Sequence, residues 1–136
     1  MRPVESRVLM PRVVASARPP SDVSGPFVCG WSAVGECAVV RVAGQIDLAT
    51  APAFDTELRH VITTKLPKLV VDLRRVTALE PAGIDVLAQA HDLAVEHGGW
   101  LRTSGAATWL ADLLRTIAPR HYPTLAEALP AYRPLV

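Results

Sequence analysis

The sequence predicts a single α/β domain in which helices pack on a mixed sheet of four or five strands. Half of the 136 residues are apolar and a fifth are charged, a composition typical of folded domains rather than disordered chains. From residue 27 onward, short runs rich in β-branched residues alternate with longer segments of helical periodicity. The predicted order of elements is β-β-α-β-α-β-α-α, in which strands joined through helices are parallel neighbours.

The folded domain is predicted to span residues 27–136, preceded by a flexible tail over residues 1–26. The tail contains five of the twelve prolines, four arginines and no sustained periodicity. Its apolar run Val8-Leu9-Met10-Pro11 is shorter than the roughly 7–15 apolar residues at the centre of a signal peptide. We therefore expect no secretion signal and a cytoplasmic location.

A β-hairpin is predicted at the start of the domain, from two β-rich runs on either side of a Gly-containing loop: Phe27–Ser32 and Cys37–Ala43. A two-residue loop at Val34-Gly35 would place Cys29 opposite Val40, with Cys37 pointing to the other face. A three-residue loop would place both thiols diagonally on one face. Cys29 and Cys37 are therefore a candidate redox pair, and the alternative is that both are ordinary small core residues.

The centre of the sheet is predicted at Leu69–Leu73, a continuous apolar run typical of a strand covered on both faces. This strand is expected to end at Asp72-Leu73 and to be followed by a loop. Trp100–Thr103 is a weaker fourth strand, preceded by two glycines.

Four segments have helical periodicity: Ala51–Thr63, Gly83–His97, Ala106–Ile117 and Thr124–Ala131. In the first three, an apolar stripe is expected to face the sheet, with Phe54, Leu87 and Leu113 among its members. Thr50 is the expected N-cap of the first helix.

Several classes of function are disfavoured. The net charge of +1 leaves no basic surplus for binding nucleic acid non-specifically, and no run approaches the ~18 apolar residues of a membrane helix. Two cysteines are too few for a four-ligand zinc site, and His91 and His97 point to different faces of one helix. No nucleophile elbow, phosphate-binding loop or dinucleotide fingerprint is present. We therefore expect neither an enzyme nor a cofactor, metal, nucleic-acid or membrane partner.

The junction between the third strand and the second helix is a natural functional position. The helix is expected to begin around Pro81-Ala82-Gly83, and Pro is favoured at the first helical position. Free N–H groups at a helix start attract anions. The alternative is that this segment is only a loop that starts a helix well.

Two stretches of sequence resemble signatures of the STAS domain family. Residues 44–50, Gly-Gln-Ile-Asp-Leu-Ala-Thr, resemble the family's G-E-(I/L)-D-x-x-(T/N) signature. Val71-Asp72-Leu73 and Val76 match its strand signature, and Glu80-Pro81-Ala82-Gly83 stands where the family has D-S-S-G opening a helix. The resemblance covers about residues 27–131 and implies a STAS-like fold.

The resemblance implies an anti-sigma factor antagonist that binds a kinase-type anti-sigma factor and so releases a sigma factor. In the family, the kinase inactivates the antagonist by phosphorylating the serine before the glycine of D-S-S-G. Ala82 occupies that position here, so this switch cannot operate in its usual form. The protein is then constitutively active or controlled by another signal. The alternative is a STAS module that binds a small ligand or a different protein partner, outside sigma-factor regulation.

The resemblance also implies where the partner binds. The loop after the second strand is expected to lie close to the start of the second helix, where the apolar Ile84 is not obviously needed by the core. The expected partner-binding residues are Asp47, Thr50, Glu80, Pro81, Ala82, Gly83, Ile84 and Asp85. The alternative is that Asp47 and Thr50 only cap and turn the chain.

Overall fold

The strands of this domain form one five-stranded sheet. The computed structural model describes residues 27–130, so the predicted tail lies outside the described residues. The strands are β1 Val28–Val34, β2 Cys37–Ile46, β3 Lys68–Leu79, β4 Trp100–Ser104 and β5 Arg120–Tyr122. The helices are α1 Ala51–Thr64, α2 Pro81–Glu96, α3 Thr108–Leu114 and α4 Leu125–Ala128.

The sheet is mixed, as predicted, and its strands lie side by side in chain order. β1 and β2 form an antiparallel hairpin, whereas β3, β4 and β5 each run parallel to the preceding strand. β5 was not predicted, because the polar tripeptide Arg120-His121-Tyr122 has neither the length nor the apolar pattern of a strand. It joins the sheet only through its register with β4.

The predicted core is confirmed. β3 is the central strand, and Leu69, Val71 and Leu73 are fully buried on it. Phe54 on α1 and Leu87 on α2 are also fully buried and belong to the same hydrophobic cluster. No helix of the described residues is long and apolar enough to cross a membrane.

The prediction that Leu113 faces the core is wrong. Helix α3 has only seven residues, and it buries Leu110, Ala111 and Leu114. Leu113 precedes Leu114 by one residue, which is about 100° around a helix, and its side chain is exposed.

The prediction that the central strand ends at Asp72-Leu73 is also wrong, since β3 continues to Leu79. Its register against β2 shifts twice, between Arg41 and Ala43 and between Gly44 and Gln45. Such irregularities break the alternation of side chains along a strand. The apolar pattern therefore ends early although the strand continues.

The predicted hairpin register is corrected as well. The turn lies at Gly35-Glu36, so that Val34 pairs with Cys37 and Cys29 pairs with Val42. The two cysteines are therefore far apart along the hairpin and point to opposite faces, and both thiols are free. This register does not support the candidate redox pair. Burial raises the pKa of both thiols, and the carboxylate of Glu57 raises that of Cys29 further.

Helix α4 covers part of the face of the sheet that carries Arg102. The guanidinium Nη1 of Arg102 donates to the carbonyl of Ala128 at 2.7 Å. The same guanidinium lies 3.8 Å from the ring centroid of Trp100 and 5.5 Å from that of Tyr122, within the range of cation–π attraction. These contacts of Arg102 hold α4 against the sheet.

Candidate functional site

The candidate site lies where β2 and β3 end side by side. Ile46 and Leu79 are register partners at the ends of these strands, and the N–H of Glu80 donates to the carbonyl of Ile46 at 2.9 Å. This bond places the start of α2 directly beside the loop that leaves β2 at Asp47. The structure therefore brings together the two segments that the sequence singled out.

The loop from Asp47 to Thr50 is held by its own side chains. The Asp47 carboxylate Oδ1 accepts from the N–H groups of Ala49 and Thr50, each at 3.0 Å. The Thr50 hydroxyl accepts from the N–H of Asp47 at 2.9 Å and donates to the carbonyl of Gln45 at 2.9 Å. The loop is thereby fixed in one conformation.

The contacts of Thr50 agree with the alternative in which it only turns the chain. Its side chain makes no N-cap hydrogen bond to α1, because the hydroxyl is engaged within the loop. It is also only 2% exposed, so it cannot contact a partner directly. Of the residues in this loop, Asp47 is half-buried and Ala49 is exposed.

Leu48, at the tip of this loop, was missed by the sequence analysis. Its side chain is 77% exposed, although leucine is usually found in the interior. The sequence signal for it is an apolar residue inside an Asp-x-x-Thr turn. Such turns lie at the surface, so a leucine within one is expected to be exposed.

The start of α2 exposes a short polar and apolar segment. Pro81 is the first helical residue and Glu80 is the N-cap, without a side-chain capping bond. Glu80, Pro81 and Asp85 are exposed, whereas Ala82 and Ile84 are half-buried. Ile84 packs partly against the core, and so does Ala82.

The start of α2 is poorly suited to an anion. Pro81 has no N–H group, and the N–H groups of Gly83 and Ile84 both donate to the carbonyl of Glu80, at 2.8 Å and 3.2 Å. The carboxylates of Glu80 and Asp85 add negative charge beside the helix start. This geometry therefore gives little support to the expectation that the helix start binds an anion.

Gly83 is buried and cannot be a partner contact. A Cβ atom at this position would lie 2.5 Å from both Ile46 Cγ2 and Leu79 Cδ1, far inside van der Waals contact. The glycine lets α2 approach the ends of β2 and β3 closely. Its presence in the motif is thus explained by packing.

The residues that remain accessible form a surface around the helix start, which we call the docking surface. It consists of Asp47, Leu48, Glu80, Pro81, Ala82, Ile84 and Asp85. It combines three carboxylates with four apolar residues and contains no basic side chain. Among residues 27–130, no cluster of histidine, cysteine or acidic residues could hold a metal ion.

The fold and this surface define a class of protein: a small α/β domain with an accessible surface of acidic and apolar residues at the ends of two neighbouring strands. The chain belongs to the STAS domain family. The family model described as Mlab, STAS domain, matches residues 29–119. This range contains β1 from its second residue, all of β2, β3 and β4, and the whole docking surface.

Solved structures are similar over most of the domain. An anti-sigma factor antagonist from Mycobacterium paratuberculosis is 33% identical, with a TM-score of 0.60, covering 75% of this chain and 90% of that one. The unphosphorylated form of the anti-sigma factor antagonist SpoIIAA is 12% identical, with a TM-score of 0.62, covering 73% and 91%. No curated protein sequence matches this chain significantly.

The same fold also occurs within a membrane transporter. The chain is 13% identical to part of the murine anion transporter Slc26a9, with a TM-score of 0.59, covering 71% of this chain and 18% of that one. Both this likeness and the one to SpoIIAA are likenesses of fold alone. A shared fold does not determine function, which depends on the residues of the docking surface.

Proposed function

We propose that this protein is an anti-sigma factor antagonist whose docking surface binds a kinase-type anti-sigma factor and so releases a sigma factor. The observation that carries the proposal is the joining of Leu48 and the start of α2 into one accessible surface at the ends of β2 and β3. Similarity to an antagonist at 33% identity, covering 90% of that chain, supports the same role.

The composition of the docking surface indicates the chemistry of its partner. Leu48 and Pro81 supply apolar contact area, and burying a leucine side chain contributes about 1.5–3 kcal/mol. Glu80 and Asp85 are exposed carboxylates beside them. The partner is therefore expected to offer an apolar pocket with basic residues at its rim, where opposite charges speed association.

Ala82 excludes the family's usual regulation by phosphorylation at this position. It stands at the family's phosphorylated position and has no hydroxyl group, so a kinase cannot add a phosphate there. A phosphate would add about −1.5 to −2 charges and new bulk at the half-buried position 82, and both the desolvation of that charge and its size would oppose close contact with a partner. The antagonist is therefore constitutively competent or controlled by another signal.

The test is the affinity for a kinase-type anti-sigma factor from the same organism, measured by calorimetry with two substitutions at one position. Ala82→Glu introduces a charge and should weaken binding more than about tenfold, which corresponds to ~1.4 kcal/mol. Ala82→Ser adds only a hydroxyl and should leave the affinity within about twofold. Melting curves verify that both variants are folded. An Ala82→Glu variant that folds and binds like the parent would place the interface elsewhere.

The same kinase provides a second measurement. Incubation of the parent chain with ATP and the kinase should add no phosphate between residues 74 and 90, where Thr77 is the one hydroxyl in the sequence. Thr77 lies within β3, not at the helix start. Intact mass and peptide mapping would detect the modification, and a stoichiometric gain in this segment contradicts the proposed regulation.

A further inference from the structure

Within the part of the chain that the structure describes, the outer edge of β1 has no strand beside it. Within residues 27–130, β1 pairs with β2 alone and lies at the end of the sheet. Its sequence, Val-Cys-Gly-Trp-Ser-Ala-Val, contains no charged residue and no proline, and its register with β2 runs without a shift. Exposed edges are normally protected by charges, prolines or bulges, because their free backbone groups can pair with another strand.

The hairpin determines which backbone groups face outward. Val34 and Cys37 pair across the two-residue turn, and the pair that flanks such a turn is hydrogen-bonded. Inward and outward hydrogen bonding alternates along an antiparallel strand. The outward N–H and C=O groups of β1 therefore belong to Cys29, Trp31 and Ala33.

We propose that β1 pairs antiparallel with β1 of a second copy of this chain, forming a two-fold dimer with a continuous ten-stranded sheet. The three residues with outward groups are symmetric about Trp31. A two-fold axis there places Trp31 opposite Trp31 and Cys29 opposite Ala33, and each of these pairs can exchange two hydrogen bonds. No outward backbone group of the strand is left without a partner in this register.

The side chains of β1 fit the same symmetric register. Val28 and Val34 are 41% and 42% exposed, and the two-fold axis places Val28 of one copy opposite Val34 of the other, twice in the dimer. The half-buried Trp31 rings meet at the axis, and aromatic cross-strand pairs stabilise sheets. Gly30 and Ser32 face each other without steric conflict, since nothing lies within 4 Å of a Cβ built on Gly30.

A second copy is the occupant that this strand fits best. The strand itself contains no charged residue and exposes a valine near each end, so an identical strand brings matching apolar positions. A nearby charge is the guanidinium of Arg41 on β2, which is engaged with the Ser32 hydroxyl at 3.0 Å. Pairing of one seven-residue strand is a small interface by the standard of stable complexes. The dimer is therefore expected to dissociate on dilution.

The first test is sedimentation of the full chain over a range of concentrations, with two substitutions at one position. Ala33→Pro removes an outward N–H while leaving the hairpin bonds in place, and proline is tolerated on such an edge. It should raise the dimer Kd at least about tenfold, whereas Ala33→Ser, which keeps the N–H, should leave it within about twofold.

The second test fixes the register. In Ala33→Cys, mild oxidation at alkaline pH should join Cys29 of one copy to the cysteine introduced in the other. Within one chain these positions are four residues apart on a strand, about 13 Å, so the bridge must be intermolecular. The matched control Val34→Cys places the new thiol opposite Val28, and no bridge to Cys29 should form. A monomer at every concentration, a dimer that Ala33→Pro leaves unchanged, or bridging in the control alone would each overturn the proposal.

Discussion

Leu48 places a large apolar side chain in water on a loop whose neighbouring residues are fixed by hydrogen bonds. Asp47 and Thr50 bond to each other and to the backbone on either side of it, so the loop cannot fold the leucine inward without losing those bonds. A rigid, exposed apolar residue loses little conformational freedom when a partner covers it. Under the proposed function, Leu48 is therefore expected to contribute to the affinity for the partner.

We expect Leu48→Ser to weaken binding of the anti-sigma factor about tenfold or more, since most of the ~1.5–3 kcal/mol from burying the side chain is lost. The melting temperature should change little, because the side chain is 77% exposed in the free protein. Val95→Ser is the matched control: Val95 is also exposed but lies in the last turn of α2, roughly 20 Å from the helix start. Equal affinities for the two variants would remove Leu48 from the interface.

The sequence predicted the positions of the site residues better than it predicted their exposure to solvent. The resemblance placed Asp47, Thr50 and Ala82 correctly at the ends of β2 and β3. It could not show that Thr50 is buried, because a threonine in a turn is equally compatible with a solvent-facing and an inward hydroxyl. The hydroxyl bonds locally, to Asp47 and Gln45, but the burial of Thr50 also requires packing that a local sequence pattern does not encode.

The position of α2 depends on the absence of a side chain at Gly83. A Cβ at position 83 would meet the side chains of Ile46 and Leu79, which are almost completely buried. The β-branched Ile46 has little rotamer freedom to move aside. The helix start and therefore the docking surface are positioned by this close contact. A larger residue at this position forces either these two side chains or the first turn of α2 to shift.

Gly83→Ala should lower the free energy of unfolding by about 1 kcal/mol. Overpacking costs ~1–3 kcal/mol, and the ~1 kcal/mol that alanine gains over glycine in a helix offsets part of this, which leaves a net loss of ~0–2 kcal/mol. Gly30→Ala is the matched control: nothing lies within 4 Å of the added Cβ, so the variant should be as stable as the parent or more stable by roughly 0.5–1 kcal/mol. Denaturant unfolding measures both, and a Gly83→Ala variant as stable as the parent would show that the contact can relax.

Elements with an uninterrupted pattern were predicted more accurately than those whose structure depends on neighbours. α1 and the start of β4 agree with their apolar periodicity to within a residue. β3 was predicted six residues too short at its far end, since Arg74 and Arg75 follow the apolar run. β5 owes its existence to the register with β4, which is a property of the assembled sheet.

At the scale of the whole molecule, the alternation of strands and helices was sufficient to predict the architecture. Right-handed connections between parallel strands leave few arrangements for this element order, which is why a central β3 and buried Leu87 could be expected. The hairpin register was not determined in the same way. Moving the turn from Val34-Gly35 to Gly35-Glu36 keeps the same faces buried and an equally plausible pattern, and in both registers the two cysteines point to opposite faces.

The contact between β4 and β5 gives the folded molecule a dependence on pH. The Thr103 hydroxyl and His121 Nδ1 lie 2.8 Å apart across these strands, and Thr103 is fully buried. Burial lowers the pKa of His121, and the nearby Arg115 lowers it further. The folded state therefore favours the neutral imidazole more than the unfolded chain does.

We expect the free energy of unfolding to be unaffected by His121 at pH values well above its ordinary pKa of 6.5. As the pH falls through about 6.5, the unfolded chain binds the proton first, so stability decreases until the lowered pKa of the folded state is passed. The slope from one group cannot exceed ~1.4 kcal/mol per pH unit. Denaturant unfolding between pH 5 and 8 measures it; His121→Gln should flatten the curve, whereas His60→Gln on the exposed surface of α1 should keep the parent's slope. If His121→Gln also keeps that slope, the acid sensitivity of the domain comes from other groups.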